Sequence, residues 1–285
     1  MQKTLIATAV LACLSVPAFA DDAAPAAAAT PEHTFTANVS LTSEYIYRGI
    51  AQSARKPAIQ GGFDYSHSSG LYAGVWGSSI SWLTDGVGGD GVKAGTAPVE
   101  IDVYGGYKNT FAGGDWNYDV GVLTYNYPHS GTLSTVNSPN TTEVYGALGW
   151  KWLSAKYSYT VSNHIFGNGK WGTLSDGSMG QTTGSTRGSG YFEVNANYDL
   201  GTGWGLVGHV GHQSIKDFSR ASYSDYKLGV TKDVGFGVVA LSYYDTNAHG
   251  DCNKSDAATG GEPYCSLQGK NLGKGAAQLS FTKTF

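Results

Sequence analysis

The sequence predicts an all-β fold, a transmembrane antiparallel up-and-down β-barrel of about twelve strands. Three observations carry this expectation. Apolar and polar residues alternate with period two in one segment after another, short and long connections follow each other in strict turn, and aromatic residues gather at the segment ends. Composition agrees: charged residues are only 14% of the 285, while glycine (41) and tyrosine (19) are abundant, a poor match to a charged soluble domain. No segment beyond the leader offers the eighteen or so uninterrupted apolar residues of a spanning helix. The net charge of -4, without basic clusters, gives nucleic acid no electrostatic footprint.

The chain opens with Lys3, an apolar run from Leu5 to Val16 and the small-x-small pattern Ala18-Phe19-Ala20, which reads as a signal peptide over residues 1–20. The competing reading, a lipoprotein acceptor at Cys13, puts bulky Leu11 where a small residue is expected. Residues 21–33 hold no aromatic or β-branched apolar residue that could pack a core and read as a periplasmic linker. The barrel is then expected over 34–285.

In the first strand Phe35, Ala37, Val39, Leu41, Ser43, Tyr45 and Tyr47 share one face, and Thr36, Asn38, Ser40, Thr42 and Glu44 the other. About thirteen alternating residues exceed a soluble strand of five or six, but suit a tilted strand that needs nine to eleven to cross hydrocarbon. The pattern returns over 59–65, 71–82, 99–107, 116–127, 142–150, 153–161, 191–200, 204–213, 226–232, 236–244 and 276–285. An even strand count brings both ends of the barrel to one side.

Long connections follow the odd strands, including 162–190 and 245–275. Tight turns such as Ser68-Ser69-Gly70, Gly201-Thr202-Gly203 and Asp233-Val234-Gly235 follow the even ones. Outer-membrane barrels show this asymmetry, with short periplasmic turns and long external loops. The stretch Lys108–Asp115 is long for its place. Aromatic girdles are expected from Phe35, Trp116, Trp150, Trp152, Trp204, Phe236 and Phe285 at the periplasmic ends, and from Tyr45, Tyr47, Tyr127, Tyr159 and Tyr244 at the outer ends. A secreted soluble β-sandwich would share the alternation but not the strand length, loop asymmetry or girdles.

At the chain end Ala277, Leu279 and Phe281 alternate toward Phe285. This resembles the terminal strand by which outer-membrane proteins are recognised by the barrel assembly machinery. Lys283 departs from the pattern, and so near the periplasmic end it can snorkel to water. The opening Ala37-Asn38-Val39-Ser40-Leu41-Thr42-Ser43-Glu44-Tyr45-Ile46-Tyr47-Arg48-Gly49-Ile50, followed by Ala51-Gln52-Ser53, and the segment Gly70 to Ser78 resemble the TorF-family porins, also called Gcw_chp proteins. The resemblance is sharpest over the first three strands. It implies an outer-membrane barrel that passes solutes, and transfers no substrate or functional residue.

If the apolar faces meet lipid, parity turns Glu44, Asp64, Glu100, Asp102, Asp119, Glu143, Glu193 and Asp199 into the lumen, with Arg48, Lys156 and Lys227 as their basic counterparts. Acidic rings favour cations, so a narrow, moderately cation-preferring pore for small hydrophilic solutes or ions is expected. The competing reading pairs these charges into a plug, with Glu44 and Arg48 as a candidate pair. A non-conducting surface protein that binds ligands through its long loops is the alternative function.

A lipid-acting barrel enzyme would need a serine, a histidine and a carboxylate or amide converging at one rim. The seven histidines do not supply this: His33 lies in the linker, His67, His129, His164 and His249 are isolated at turns or loops, and His209 and His212 point to opposite faces. No enzymatic activity, metal or cofactor is expected. The partners are outer-membrane lipid and lipopolysaccharide, the assembly machinery and the permeating solutes, with no nucleic acid. Cys252 and Cys265 are expected to staple an external loop as a disulfide after export. Gly167 to Gly172 fits G-x-G-x-x-G but no helix follows. Asp251, Asn253, Ser255, Thr259 and Glu262 have EF-hand spacing, yet Asp256 replaces the turn glycine, so at most weak Ca²⁺ binding is implied.

Overall fold

A computed structural model describes residues 31–85, 97–130, 137–177, 179–248, 250, 252, 263–266 and 269–285. The expected signal peptide, most of the linker, His249 and the five residues with EF-hand spacing lie outside the described residues.

The chain forms one closed antiparallel barrel. Its strands are β1 His33–Thr42, β2 Ala58–His67, β3 Leu71–Ser79, β4 Val99–Phe111, β5 Trp116–Asn126, β6 Thr141–Trp150, β7 Leu153–Thr160, β8 Gly190–Gly201, β9 Trp204–Ser214, β10 Tyr223–Asp233, β11 Val238–Thr246 and β12 Ala276–Thr284. Each strand pairs with its sequence neighbours, and β12 closes the ring on β1 with Leu41 opposite Phe281 and Thr42 opposite Ser280. Closure leaves no unpaired sheet edge, which is what lets strands cross hydrocarbon where water cannot satisfy the backbone.

Period two decides the two surfaces. Leu41, Ile59, Phe63, Val103, Val120, Leu148, Val210, Leu228 and Leu279 are exposed on the outside, while Ser40, Thr42, Gln60, Ser78, Ser158, Thr231, Gln278 and Ser280 are buried within. Large apolar side chains outside and small polar ones inside invert the soluble pattern and fit a barrel whose solvent is lipid. The periplasmic girdle is built as the sequence predicts: Trp116 lies beside Trp150 and Phe111, Trp152 against Tyr198, and Phe236 against Phe281. Lys283 holds its Nζ 5.2 Å from the ring centre of Phe285.

The turn that looked long is short, because β4 runs on to Phe111 and leaves Ala112–Asp115, where Ala112, Gly113 and Gly114 all take positive φ. The linker boundary shifts slightly, since β1 already begins at His33.

The outer girdle differs from the expectation. Of the five tyrosines assigned to it only Tyr159 faces outward, whereas Tyr45, Tyr47, Tyr127 and Tyr244 are all buried. Tyr127 follows the parity of Leu123 and Tyr125, and Tyr244 that of Ala240 and Ser242, all buried inside. The outward aromatics at this end are Tyr157, Tyr159, Phe192, Tyr226 and Tyr243, which lie on β7, β8, β10 and β11. Tyr45 and Tyr47 move inward for another reason: β1 leaves the sheet at Thr42, and the chain turns into the barrel.

Candidate functional site

That inturned segment, 43–57, is the centre of the site. Ile46–Tyr47 pairs with Ile50–Ala51 as a small hairpin, and its two central residues, Arg48 (φ 45°) and Gly49 (φ 75°), are both left-handed. A two-residue hairpin of the primed type requires this, and glycine adopts it without steric cost. Gly49 also has no room for a side chain, since a Cβ there would lie 2.3 Å from Thr246 Cγ2 and 2.6 Å from Asp225 Cβ. The tip thus touches β11 and β10, two and three strands from β1 around the barrel.

The base of the hairpin is tied to the connection that precedes β12. Ala51 donates its N–H to Leu272 O at 2.9 Å, and Arg55 donates to the carbonyls of Asn271 and Lys274. Arg55 also pairs with Glu44 at 3.1 Å.

The tip is latched by charge. Arg48 makes a bidentate pair with Glu143 on β6, Nη1 to Oε1 at 3.0 Å and Nη2 to Oε2 at 2.8 Å, and a further bond to Gln213 Oε1 on β9 at 2.8 Å. Its guanidinium lies 4.1 Å from the ring centre of Tyr191 and 5.0 Å from that of Tyr47. The two paired side chains are 3% and 1% exposed. A charge this deep is held only if it is paired and hydrogen-bonded, and the planar guanidinium fits the carboxylate fork.

From this latch a polar belt runs around the wall. Tyr125 donates to Glu143 and shares a hydroxyl contact with Tyr47. Tyr72 donates to Asp119 at 2.5 Å and meets the Tyr145 hydroxyl, while Lys156 lies 4.5 Å from the Tyr145 ring centre and 3.9 Å from Glu193. His209 joins Asn195 Oδ1 at 2.7 Å to Asp225 Oδ1 at 2.9 Å, and Tyr191 donates to Asp225 Oδ2 at 2.9 Å. Tyr104 donates to Asp64 at 2.5 Å, and Tyr45 to Glu100 at 3.3 Å.

Above the belt the outer mouth is packed with apolar groups. Tyr45, Tyr47, Trp76, Trp82, Leu83 and Tyr127 form one cluster, with the short helix Trp82–Asp85 bringing Trp82 edge-on to Tyr127. Ile165, Ile215 and Phe218 form another, with Trp171 stacked on Phe218. Lys170 bonds Asp217 at 2.9 Å across these loops, and holds its carboxyl below the usual carboxylate range. Gly167 to Gly172 belongs to this cap and leads into the short strand Trp171–Thr173, as its lack of a helix predicts. Cys252 and Cys265 form the expected disulfide, with Cα atoms 5.4 Å apart.

The residues predicted for the lumen are mostly brought together there. Glu100, Asp102, Asp119, Glu143, Lys156 and Glu193 are buried on the inner wall, and Asp64 and Lys227 also turn inward, the latter with Nζ 5.4 Å from the Tyr244 ring centre. Glu44 and Arg48 are inside but do not pair with each other, because each has its own partner, Arg55 and Glu143. Asp199 is the exception. It is exposed at the turn end of β8, where its carboxylate accepts the Gly201 N–H at 2.7 Å.

Parity alone missed Arg55, His209, Asp225 and Lys108. Asp225 and Lys108 lie at inward positions of β10 and β4, so the same rule reaches them once those strands are extended to their true ends, whereas His209 already lay within the predicted strand 204–213.

The profile of the family described as "Bacterial protein of unknown function (Gcw_chp)" matches residues 26–273. The chain belongs to this family. No curated protein matches the chain. Among solved structures, the Gcw_chp chain is similar to a KdgM porin (7% identity, 88% of this chain and 99% of that one, TM-score 0.47). It is also similar to a NanC porin (11%, 88% and 98%, TM-score 0.46) and to the COG4313 outer membrane channel from Pseudomonas putida F1 (13%, 90% and 97%, TM-score 0.44).

Proposed function

We propose that this Gcw_chp protein is an outer-membrane channel for small hydrophilic solutes or ions, throttled by the inturned hairpin Ile46–Ala51. One observation carries the reading. Glu44 Oε1, Arg48 Nε, Gln60 Oε1, Asp102 Oδ1, Thr160 Oγ1 and Glu193 Oε1 face the lumen, are shielded from bulk solvent and have no hydrogen-bond partner in the protein. Each would cost on the order of 1–3 kcal/mol if left bare, and an inner wall lined with such groups favours water inside the barrel, which supports an aqueous path. Twelve strands also lie between the filled eight-stranded and the open sixteen-stranded barrels.

Asp64, Glu100 and Asp119 accept from tyrosine hydroxyls rather than from cations, which supports a weak cation preference. The preference is smaller than parity alone suggests, because Arg55 neutralises Glu44 and Lys108 sits beside Asp119, its Nζ 5.0 Å from the Tyr72 ring centre. Swelling of liposomes carrying the refolded protein, in solutes of graded size, tests the reading. Entry of small solutes only, with a cation-signed reversal potential under a salt gradient, is expected; no entry, in both the wild type and a variant without the hairpin, would refute it.

A second reading has its own support. The apolar clusters over the outer mouth favour a non-conducting surface protein whose external loops bind ligands. It predicts a folded barrel that stays silent even without the hairpin.

A further inference from the structure

We propose that Glu32, His33 and His67 form a site for a divalent transition-metal ion, zinc foremost, on the periplasmic rim of the barrel. His33 at the start of β1 and His67 at the end of β2 are direct cross-strand partners, which sequence distance conceals. Both follow the outward parity of Phe35 and Phe63, so their rings sit on the outer surface, with centroids 5.2 Å apart. Glu32 is held beside them because its carbonyl accepts the Ser68 N–H at 2.9 Å, and its Oε1 lies 3.4 Å from His67 Nε2. One ligand atom from each of the three lies within 4.8 Å of the others.

The chemistry of the set is specific. Two imidazoles and a carboxylate are the donors of a borderline divalent ion, not of calcium or magnesium, which take oxygen. A tetrahedral ion with ligands at 2.0–2.1 Å needs donor atoms about 3.4 Å apart. Glu32 and His33 are exposed and His67 is partly exposed, so the side chains are free to close that gap, with water in the fourth position.

Each imidazole already has a partner on its other nitrogen: His33 Nδ1 lies 2.9 Å from the Tyr65 hydroxyl, and His67 Nδ1 lies 2.7 Å from Ser69 Oγ. Metal at Nε2 requires Nδ1 to keep its proton and donate it, and both neighbours can accept. For His67 the donation goes to Ser69 Oγ, and the Ser69 N–H, 3.1 Å from Nδ1, must then turn to water. The site follows from the strand register alone and does not depend on the barrel conducting.

The test is calorimetric titration of tag-free, refolded mature protein with Zn²⁺, and of the same protein with Cu²⁺ followed by electron paramagnetic resonance. One saturable equivalent with a nitrogen-coordinated copper spectrum is expected. His33→Gln and His67→Gln should each abolish it, Tyr65→Phe should weaken it about 10-fold, and His212→Gln should leave it intact. Heat-modifiable migration verifies that each variant is folded, and Glu32→Gln, the mildest change, gives an independent loss of affinity. Absence of saturable binding, or binding that survives both histidine substitutions, would overturn the proposal.

Discussion

Replacing Glu143 by glutamine tests the latch with little change of shape. The substitution leaves the Arg48 guanidinium buried, with its carboxylate partner gone and Gln213 as its remaining side-chain acceptor. Removing one partner of a buried pair costs about 3–5 kcal/mol. At about 1.4 kcal/mol per tenfold, that shifts the balance between latched and displaced hairpin by roughly 10² to 4 × 10³. Both side chains are almost fully buried, so salt should screen the effect little.

Single-channel recording in a planar bilayer reads it directly. Glu143→Gln should spend much more time in a larger conductance level than the wild type. Arg48→Met combined with Glu143→Gln removes the orphaned charge and should return most of the closed occupancy, since replacing both partners of a buried pair is close to neutral. Equal occupancies for the wild type and Glu143→Gln would refute the reasoning, because the hairpin would then be held by something other than this pair.

Further outcomes follow from the same geometry. Gly49→Ala should mimic Glu143→Gln in the bilayer, because the new methyl meets Thr246 and Asp225 and the backbone is left-handed there; wild-type gating would show that the tip does not touch that wall. Val120→Arg should destabilise the barrel by about 2–4 kcal/mol in urea titrations if it lies near the bilayer midplane, while Gly208→Ala, whose added methyl meets only Ala196, should cost far less. Cys252→Ser with Cys265→Ser should remove up to about 3 kcal/mol of loop ordering, read as faster proteolysis of the external loop at unchanged barrel migration. Equal proteolysis rates would mean that the loop is ordered without its staple.

Much of the barrel is legible in the sequence because its cause is local. Period two requires only that one face meet lipid and the other not, and the tight turns announce themselves through glycine. Tyr45 and Tyr47 mislead because a tyrosine suits a lipid girdle and a polar lumen equally well. The signal that the chain had left the sheet was Arg48-Gly49, a turn dipeptide at the end of what looked like an unbroken strand. Glu44 and Arg48 were never good partners on one strand, where four residues span about 13 Å; their true partners come from 11 and 95 residues away. His33 and His67 show the same limit, for their meeting depends on a register set across the inturned segment rather than by a tight turn.

The measurement closest to the central claim compares the wild type with a variant whose residues 46–51 are replaced by a short glycine-serine link, in the same planar bilayer and salt. Small, discrete wild-type steps that become several-fold larger in the variant are predicted, as expected when a side-chain barrier is lifted from a hydrated lumen. Identical steps in the two proteins, or silence in both while each migrates as a folded barrel, would contradict it.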